Sequence, residues 1–381
     1  MRKKLAIALG IGLAVFFAQA LVVEHFPTPR TFEELNKGIS YQDLLPDTSH
    51  NEESYNESYY HNGWFEDGSV VYLQFFFHNF GIGSYHPSAD LTIITPDGKV
   101  HHQTEDYPNK RMQIAQNKFE IKFDHHLIKG EPDKRYYKVR MWFDNLGADL
   151  EYFCETSGLI DPGLYYNNNP REFQRWVTYC PKALVKGRLK VGDRIWEVSG
   201  RGFADHAKSM VLYTSLAGGF QLYQRAGNKE ISVSIMENRW VENGEKKRLP
   251  NLLVAVDDKI VFFSRDEYRL DILGLGTSPK GKQFPNKFYL FAKNDWFELE
   301  ANFTMERFLL EAGLFDRLGK VFGGFLARLF KHPGYYRYLS RFEYSYKWRY
   351  QGKERKGKGV TKTISQVIYA GEPDFQLWIK K

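Results

Sequence analysis

The chain has 381 residues, of which 43% are hydrophobic, 26% charged and 16% aromatic, the last supplied mainly by 30 Phe and 24 Tyr. That length suits two domains rather than one. The net charge of +7 fits a mild preference for anionic lipid surfaces, but with no basic stripe and no groove-reading helix it excludes a nucleic-acid footprint.

Taken in order, the chain opens as a targeting segment. Arg2-Lys3-Lys4 precedes an apolar run over 5–17, and Ala18-Gln19-Ala20 supplies a small-x-small cleavage site. Residues 1–20 therefore read as a signal for export to the periplasm. Because the apolar stretch continues to Val23, an uncleaved anchor facing the periplasm stays open as the alternative. Residues 21–50 form a polar, proline-containing lead-in.

From there the pattern is that of strands. Segments 59–65, 70–79 and 89–95 are rich in aromatic and β-branched residues and are separated by Glu66-Asp67-Gly68 and Pro96-Asp97-Gly98 turns. Segments 119–123, 136–143, 149–156, 176–183, 184–191 and 194–200 continue the series in a first domain over 51–200. A second domain over 201–381 repeats the style at 210–215, 219–225, 230–238, 252–256, 259–264, 287–292, 296–303, 341–351 and 361–369. So many short strands with regular turns predict an all-β protein of two barrels or sandwiches.

One stretch departs from this pattern. Over 305–332, Leu310, Leu314, Leu318, Val321, Phe322, Phe325, Leu329 and Phe330 recur at helical spacing, and Pro333 stops the run. The spacing predicts one amphipathic helix in the second domain. It either packs its stripe on a barrel or meets a membrane surface through Phe322, Phe325, Leu329 and Phe330.

The chemistry-bearing residues are few. Export leaves Cys154 and Cys180 either free or bridged. The pairs His101-His102 and His125-His126 point apart on a strand and lack a third ligand at metal spacing, so no metal site is expected. There is no Gly-x-Ser-x-Gly, phosphate loop or dinucleotide fingerprint, and no cofactor is expected. What remains is Gly200-Arg201-Gly202-Phe203-Ala204-Asp205-His206. Neighbours on an extended strand face opposite ways, so Asp205 and His206 form a simple dyad only if the chain turns sharply there.

That motif, together with Glu57-Ser58-Tyr59-Tyr60-His61-Asn62-Gly63-Trp64-Phe65-Glu66-Asp67-Gly68, Tyr72-Leu73-Gln74-Phe75 and His78-Asn79, resembles a known family. It is the two-domain lipocalin-like superfamily of carotenoid 1,2-hydratases, AttH-like proteins and yeast survival-factor (Svf) proteins. Trp176 and Lys186-Gly187-Arg188 fit the same pattern, and the resemblance spans roughly residues 55–370. It implies two lipocalin-like β domains with an apolar cavity or inter-domain cleft for an isoprenoid or other lipid.

Two departures bear on activity. Where the hydratases continue His-Asn-Trp-Gly, this chain has Ala207-Lys208-Ser209 after His206, and where they carry Tyr-x-Asp it has Tyr223-Gln224-Arg225. The hydratase acid is therefore missing from its usual place. The expectation is an exported lipid- or isoprenoid-binding protein, with Tyr60, Trp64, Gln74, Phe203 and Tyr223 as ligand contacts. The alternative is a cofactor-free hydratase, isomerase or cyclase acting on a terpenoid or polyene. There Asp205 would be the acid, His206 its orienter, and Tyr60, Trp64 and Tyr223 walls that stabilise a cation.

Overall fold

The computed structural model describes residues 23–25, 29–50, 52, 55–79, 85–166, 169–209, 219–313, 334–369, 371 and 373–380. A first sheet begins with β1 (Val23–His25), β2 (Asn56–Phe65), β3 (Val70–His78), β4 (His86–Ile94) and β5 (Val100–Asp106). It continues with β6 (Met112–Ile114), β7 (Phe119–Phe123), β8 (His126–Glu131), β9 (Tyr136–Trp142) and β10 (Leu146–Cys154). The strands β11 (Leu159–Tyr166), β12 (Asn169–Val191) and β13 (Arg194–Ser209) complete it. The point between residues 200 and 201, where the two predicted domains meet, lies inside β13, which stays in this sheet throughout.

A second sheet begins with β14 (Phe220–Gly227), β15 (Ile231–Glu242), β16 (Glu245–Leu249), β17 (Leu252–Val256) and β18 (Lys259–Ser264). Its second half is β19 (Tyr268–Thr277), β20 (Gln283–Lys293), β21 (Phe297–Gly313), β22 (Gly334–Tyr350) and β23 (Lys353–Tyr369). The two sheets share one plan. Strand order is β5-β4-β3-β2-β13-β12-β10-β9-β8-β7-β6 in the first and β18-β17-β15-β14-β23-β22-β21-β20-β19 in the second. Along each of these paths the chain starts mid-sheet (at β2 or β14), meanders to one edge, crosses to the other edge, and returns so that β13 pairs with β2 and β23 with β14, while β1 pairs off the path with β11. All the pairings are antiparallel, and each curled sheet wraps its own core. This is the expected all-β, two-unit architecture.

Period-2 alternation explains the cores. On the inner face of the first sheet, Tyr59, Phe75, Phe77, Phe119, Tyr137, Tyr152 and Tyr179 are fully buried. The second interior is filled by Phe220, Phe284, Phe288, Phe303, Tyr338 and Phe342. Each such ring contributes about 1.5–3 kcal/mol of burial. The turns follow from their residues: in Glu66-Asp67-Gly68, Gly68 takes a left-handed φ of 88° and its N–H closes the turn on the Phe65 carbonyl at 3.0 Å. The Gly200-x-Gly202 motif has a steric cause, because a side chain at either glycine would run into the Trp64 or Asn62 carbonyl of the neighbouring β2.

The helix expected over 305–332 is corrected in its first part. Residues 305–313 continue β21 and pair with β22. Two register shifts, between Met305 and Arg307 and between Phe308 and Leu310, insert extra residues into the alternation. At each shift two residues of β21 face one of β22, which breaks the alternation. Residues 314–333, with Phe322, Phe325, Leu329 and Phe330, lie outside the described residues, as do residues 1–22 and the strand expected at 210–215.

The lead-in acts as a strap across both units. A short helix α1 (Phe32–Leu35), capped by Thr31 and Glu34, sets Leu35 among Leu159, Leu253, Ala255, Ile260 and Phe263. The Asn36 side chain then pairs with edge strand β18, donating to the Ile260 carbonyl and accepting its N–H, both at 2.9 Å. Further on, Leu44 enters the first core, and its carbonyl accepts the Tyr59 hydroxyl at 2.6 Å.

Candidate functional site

Strand β13 sorts its two titratable residues to opposite faces of the first sheet. His206 points inward with Tyr59, Ala204 and the core, and Asp205 points outward to the second sheet. The strand stays extended through the motif, so the two residues diverge as its geometry predicts, and His206 does not act as the orienter of Asp205 that the alternative enzyme reading required.

His206 instead meets Glu57. Both side chains are completely buried, and imidazole Nε2 donates to Glu57 Oε2 at 2.9 Å. Glu57 also accepts the Asp47 N–H at 2.6 Å and the Tyr55 hydroxyl. Burial pushes the Glu57 carboxyl up, but hydrogen bonds from His206 and Tyr55 and the nearby Lys208 charge outweigh it and hold the group below its ordinary value. Burial pushes the His206 imidazole down, against the pull of Glu57. The ring stacks on Tyr59 at 3.9 Å. This is a buried imidazole latching a carboxylate inside a core.

Asp205 sits in the seam between the sheets. Arg225 on β14 donates from Nη2 to Asp205 Oδ2 at 3.0 Å and from Nη1 to the Ile235 carbonyl at 2.7 Å. The guanidinium lies over Phe203 at 4.5 Å and Tyr223 at 5.5 Å, so a cation is stabilised by a carboxylate and two ring faces. Burial pushes the Asp205 carboxyl above its ordinary value, and Arg225 opposes it.

A cavity of about 10 Å³ opens beside the pair, bordered by Trp176, Thr178, Ser234, Met236, Leu159 and Phe263. That is about the space of one water. On its far wall Asp161 accepts from Arg265 and Asn251. Asp161 and Arg265 were not singled out from the sequence.

A third crossing repeats the theme. Arg337 of β22, between the rings of Tyr72 at 4.8 Å and Tyr335 at 4.7 Å, reaches Thr92 at 3.0 Å and lies 3.8 Å from Asp90. In all three crossings the first unit supplies the aspartate and the second the arginine. This polarity holds the sheets in one mutual orientation.

The predicted ligand residues mostly converge on this seam. Tyr60 donates to Gln366 at 3.1 Å, and Trp64 donates to the Gly227 carbonyl at 3.2 Å. Phe203 and Tyr223 flank Arg225, and Gln74 lies opposite both Tyr60 and Asp90 in the ladder. Arg225 took the place of an expected acid and turned out to be the partner of one. Glu57 had a legible signal, a carboxylate in phase with inward-facing Tyr59 and His61.

The other sequence candidates go elsewhere. Cys154 and Cys180 are joined as a disulfide with Cα atoms 5.4 Å apart. The histidine pairs split: His102 turns to Thr92 and Asp90, His125 to Asp124, and His126 into the core against Tyr107.

No family model matches the sequence, and no curated protein is significantly similar to it. Solved structures are. An AttH-like protein of Nitrosomonas europaea superposes with a TM-score of 0.62 at 13% identity, covering 86% of this chain and 94% of that one. CghA gives 0.62 at 12% identity, covering 92% and 98%. Kievitone hydratase of Nectria haematococca gives 0.52 at 9% identity, covering 89% and 97%. With two curled sheets of one strand plan joined across a seam, the chain shares the two-unit, all-β fold of these proteins.

Proposed function

We propose that the protein binds an amphipathic small molecule of the lipid or isoprenoid class in the seam between its sheets, with the polar end at Asp205 and Arg225. The observation that supports this reading is the composition of the seam cavity, where one acid–guanidinium pair borders Trp176, Met236, Leu159 and Phe263. Such a lining orients a hydroxyl or carbonyl head and receives an apolar body. The barrel interiors are lined by their own buried aromatic rings. Since the cavity holds about one water, the seam must part to admit a ligand. Each methylene then buried contributes about 0.8 kcal/mol. A location outside the cytoplasm, next to or anchored in a membrane, suits such a ligand.

The test is purification from a membrane-bearing host, followed by mass spectrometry of the organic extract. A lipid enriched over a control protein, and lost in Arg225→Met, is the expected result. Absence of any enriched lipid removes the proposal.

A second reading is supported by the upward push on the Asp205 carboxyl. A carboxyl raised above its ordinary value beside aromatic walls suits hydration, isomerisation or cyclisation of a terpenoid or polyene. Unchanged turnover in Asp205→Asn would take that carboxyl out of any such chemistry.

A further inference from the structure

We infer a second polar subsite at the far end of the same seam, formed by Gln221, Asn238 and Trp240, which takes a hydroxyl group of an elongated ligand. The inference rests on the ligand reading above and specifies the ligand as one with a polar group at each end.

The geometry follows from strand register. On the face turned to the first sheet, β14 presents Arg225, Tyr223 and Gln221 in succession, and β15 presents Ser234, Met236, Asn238 and Trp240. Cross-strand pairing sets Arg225 opposite Ser234, Tyr223 opposite Met236, and Gln221 opposite Asn238. At a rise of about 3.3 Å per residue, Gln221 lies about 13 Å along the strand from Arg225. Between the two ends the seam is apolar, with Met236 packed with Trp176 and with Tyr223 and Ala207 alongside.

Three side chains at that end carry buried polar atoms with nothing to bond. Gln221 is completely buried and Asn238 and Trp240 nearly so. Neither Oε1 nor Nε2 of Gln221 has a hydrogen-bond partner, and the same holds for Asn238 Oδ1 and Trp240 Nε1. Buried polar groups are almost always paired, because an unpaired one forfeits its hydration without return. Three together, in line with the acid–guanidinium pair, fit a group they complete. They offer two donors and two acceptors, and a hydroxyl both donates and accepts. Retaining them at a cost in stability is the pattern of a binding site rather than of a core.

The test is calorimetric titration of the full chain with dodecane-α,ω-diol and with dodecanol. The wild type is expected to bind the diol about tenfold more tightly. Gln221→Leu is expected to abolish that preference and to raise Tm, because an apolar side chain replaces an unpaired amide. Asn238→Leu provides the same readout should the first variant fold poorly. Equal affinity of the wild type for both alcohols overturns the subsite alone, as does a Gln221→Leu variant that keeps the preference. Binding of neither alcohol overturns the ligand reading at Asp205 and Arg225, and the subsite with it.

Discussion

The two units share a strand plan but not a chemistry. The first unit's interior holds buried imidazoles at His61, His126 and His206 and the Cys154–Cys180 bridge. The second unit's interior carries instead a hydroxyl–amide chain, Ser340–Ser365–Gln224, and a Glu237–Arg239–Tyr268 cluster. Every histidine in the sequence except His332 lies before residue 210. One topology thus tolerates two interior compositions, since the antiparallel ladder asks only for alternation and satisfied polar groups. The consequence is that acid and reductant act on one unit, while the seam is common property.

The seam should show the largest effect. Asp205→Ala leaves the Arg225 guanidinium buried without its carboxylate, and a loss of about 3–5 kcal/mol is expected in chemical denaturation. A loss below 1 kcal/mol would mean that the pair does not hold the units together.

Next comes the bridge. Cys154 and Cys180 are 26 positions apart, and replacing both with Ser should cost about 3–4 kcal/mol in the chain-entropy account. Hydrogen exchange should show the loss in the first unit only; equal loss of protection over 220–369 would erase the contrast.

Acid sharpens the comparison further. Burial pushes His61 down to about 3 and His126 down to about 4, from an ordinary 6.5. A base whose folded pKa is depressed gives stability that is complete above 6.5 and is lost as pH falls toward the folded value. Each should therefore cost the first unit about 2 kcal/mol by pH 5. His61→Gln should flatten the slope of stability against pH between 7 and 5; an unaltered slope would show that this imidazole does not titrate with unfolding.

The smallest effect belongs to the strap. Asn36→Ala removes the side-chain pairing with Ile260 at a cost of about 1 kcal/mol, read as faster exchange of the Ile260 amide. Exchange at the wild-type rate would mean that the strap does not guard that edge.

Strands were legible where alternation ran unbroken. Residues 119–123, 252–256 and 259–264 match their predicted bounds. The helix expected over 305–332 fails in its first part, where 305–313 continue β21 through two bulges that interrupt the alternation. The opposed faces of Asp205 and His206 were legible too, as a property of any extended chain.

Partners were not legible. Glu57 and His206 are 149 positions apart, and Asp161 and Arg265 are 104 apart. Nothing local in either residue specifies the other. Local pattern is enough to say strand, turn and inward or outward, because backbone geometry repeats every two residues. Which carboxylate meets which base, how the units close on one seam, and how little space that seam leaves are set by long-range packing. They come into being only when distant strands are brought within a hydrogen bond of each other.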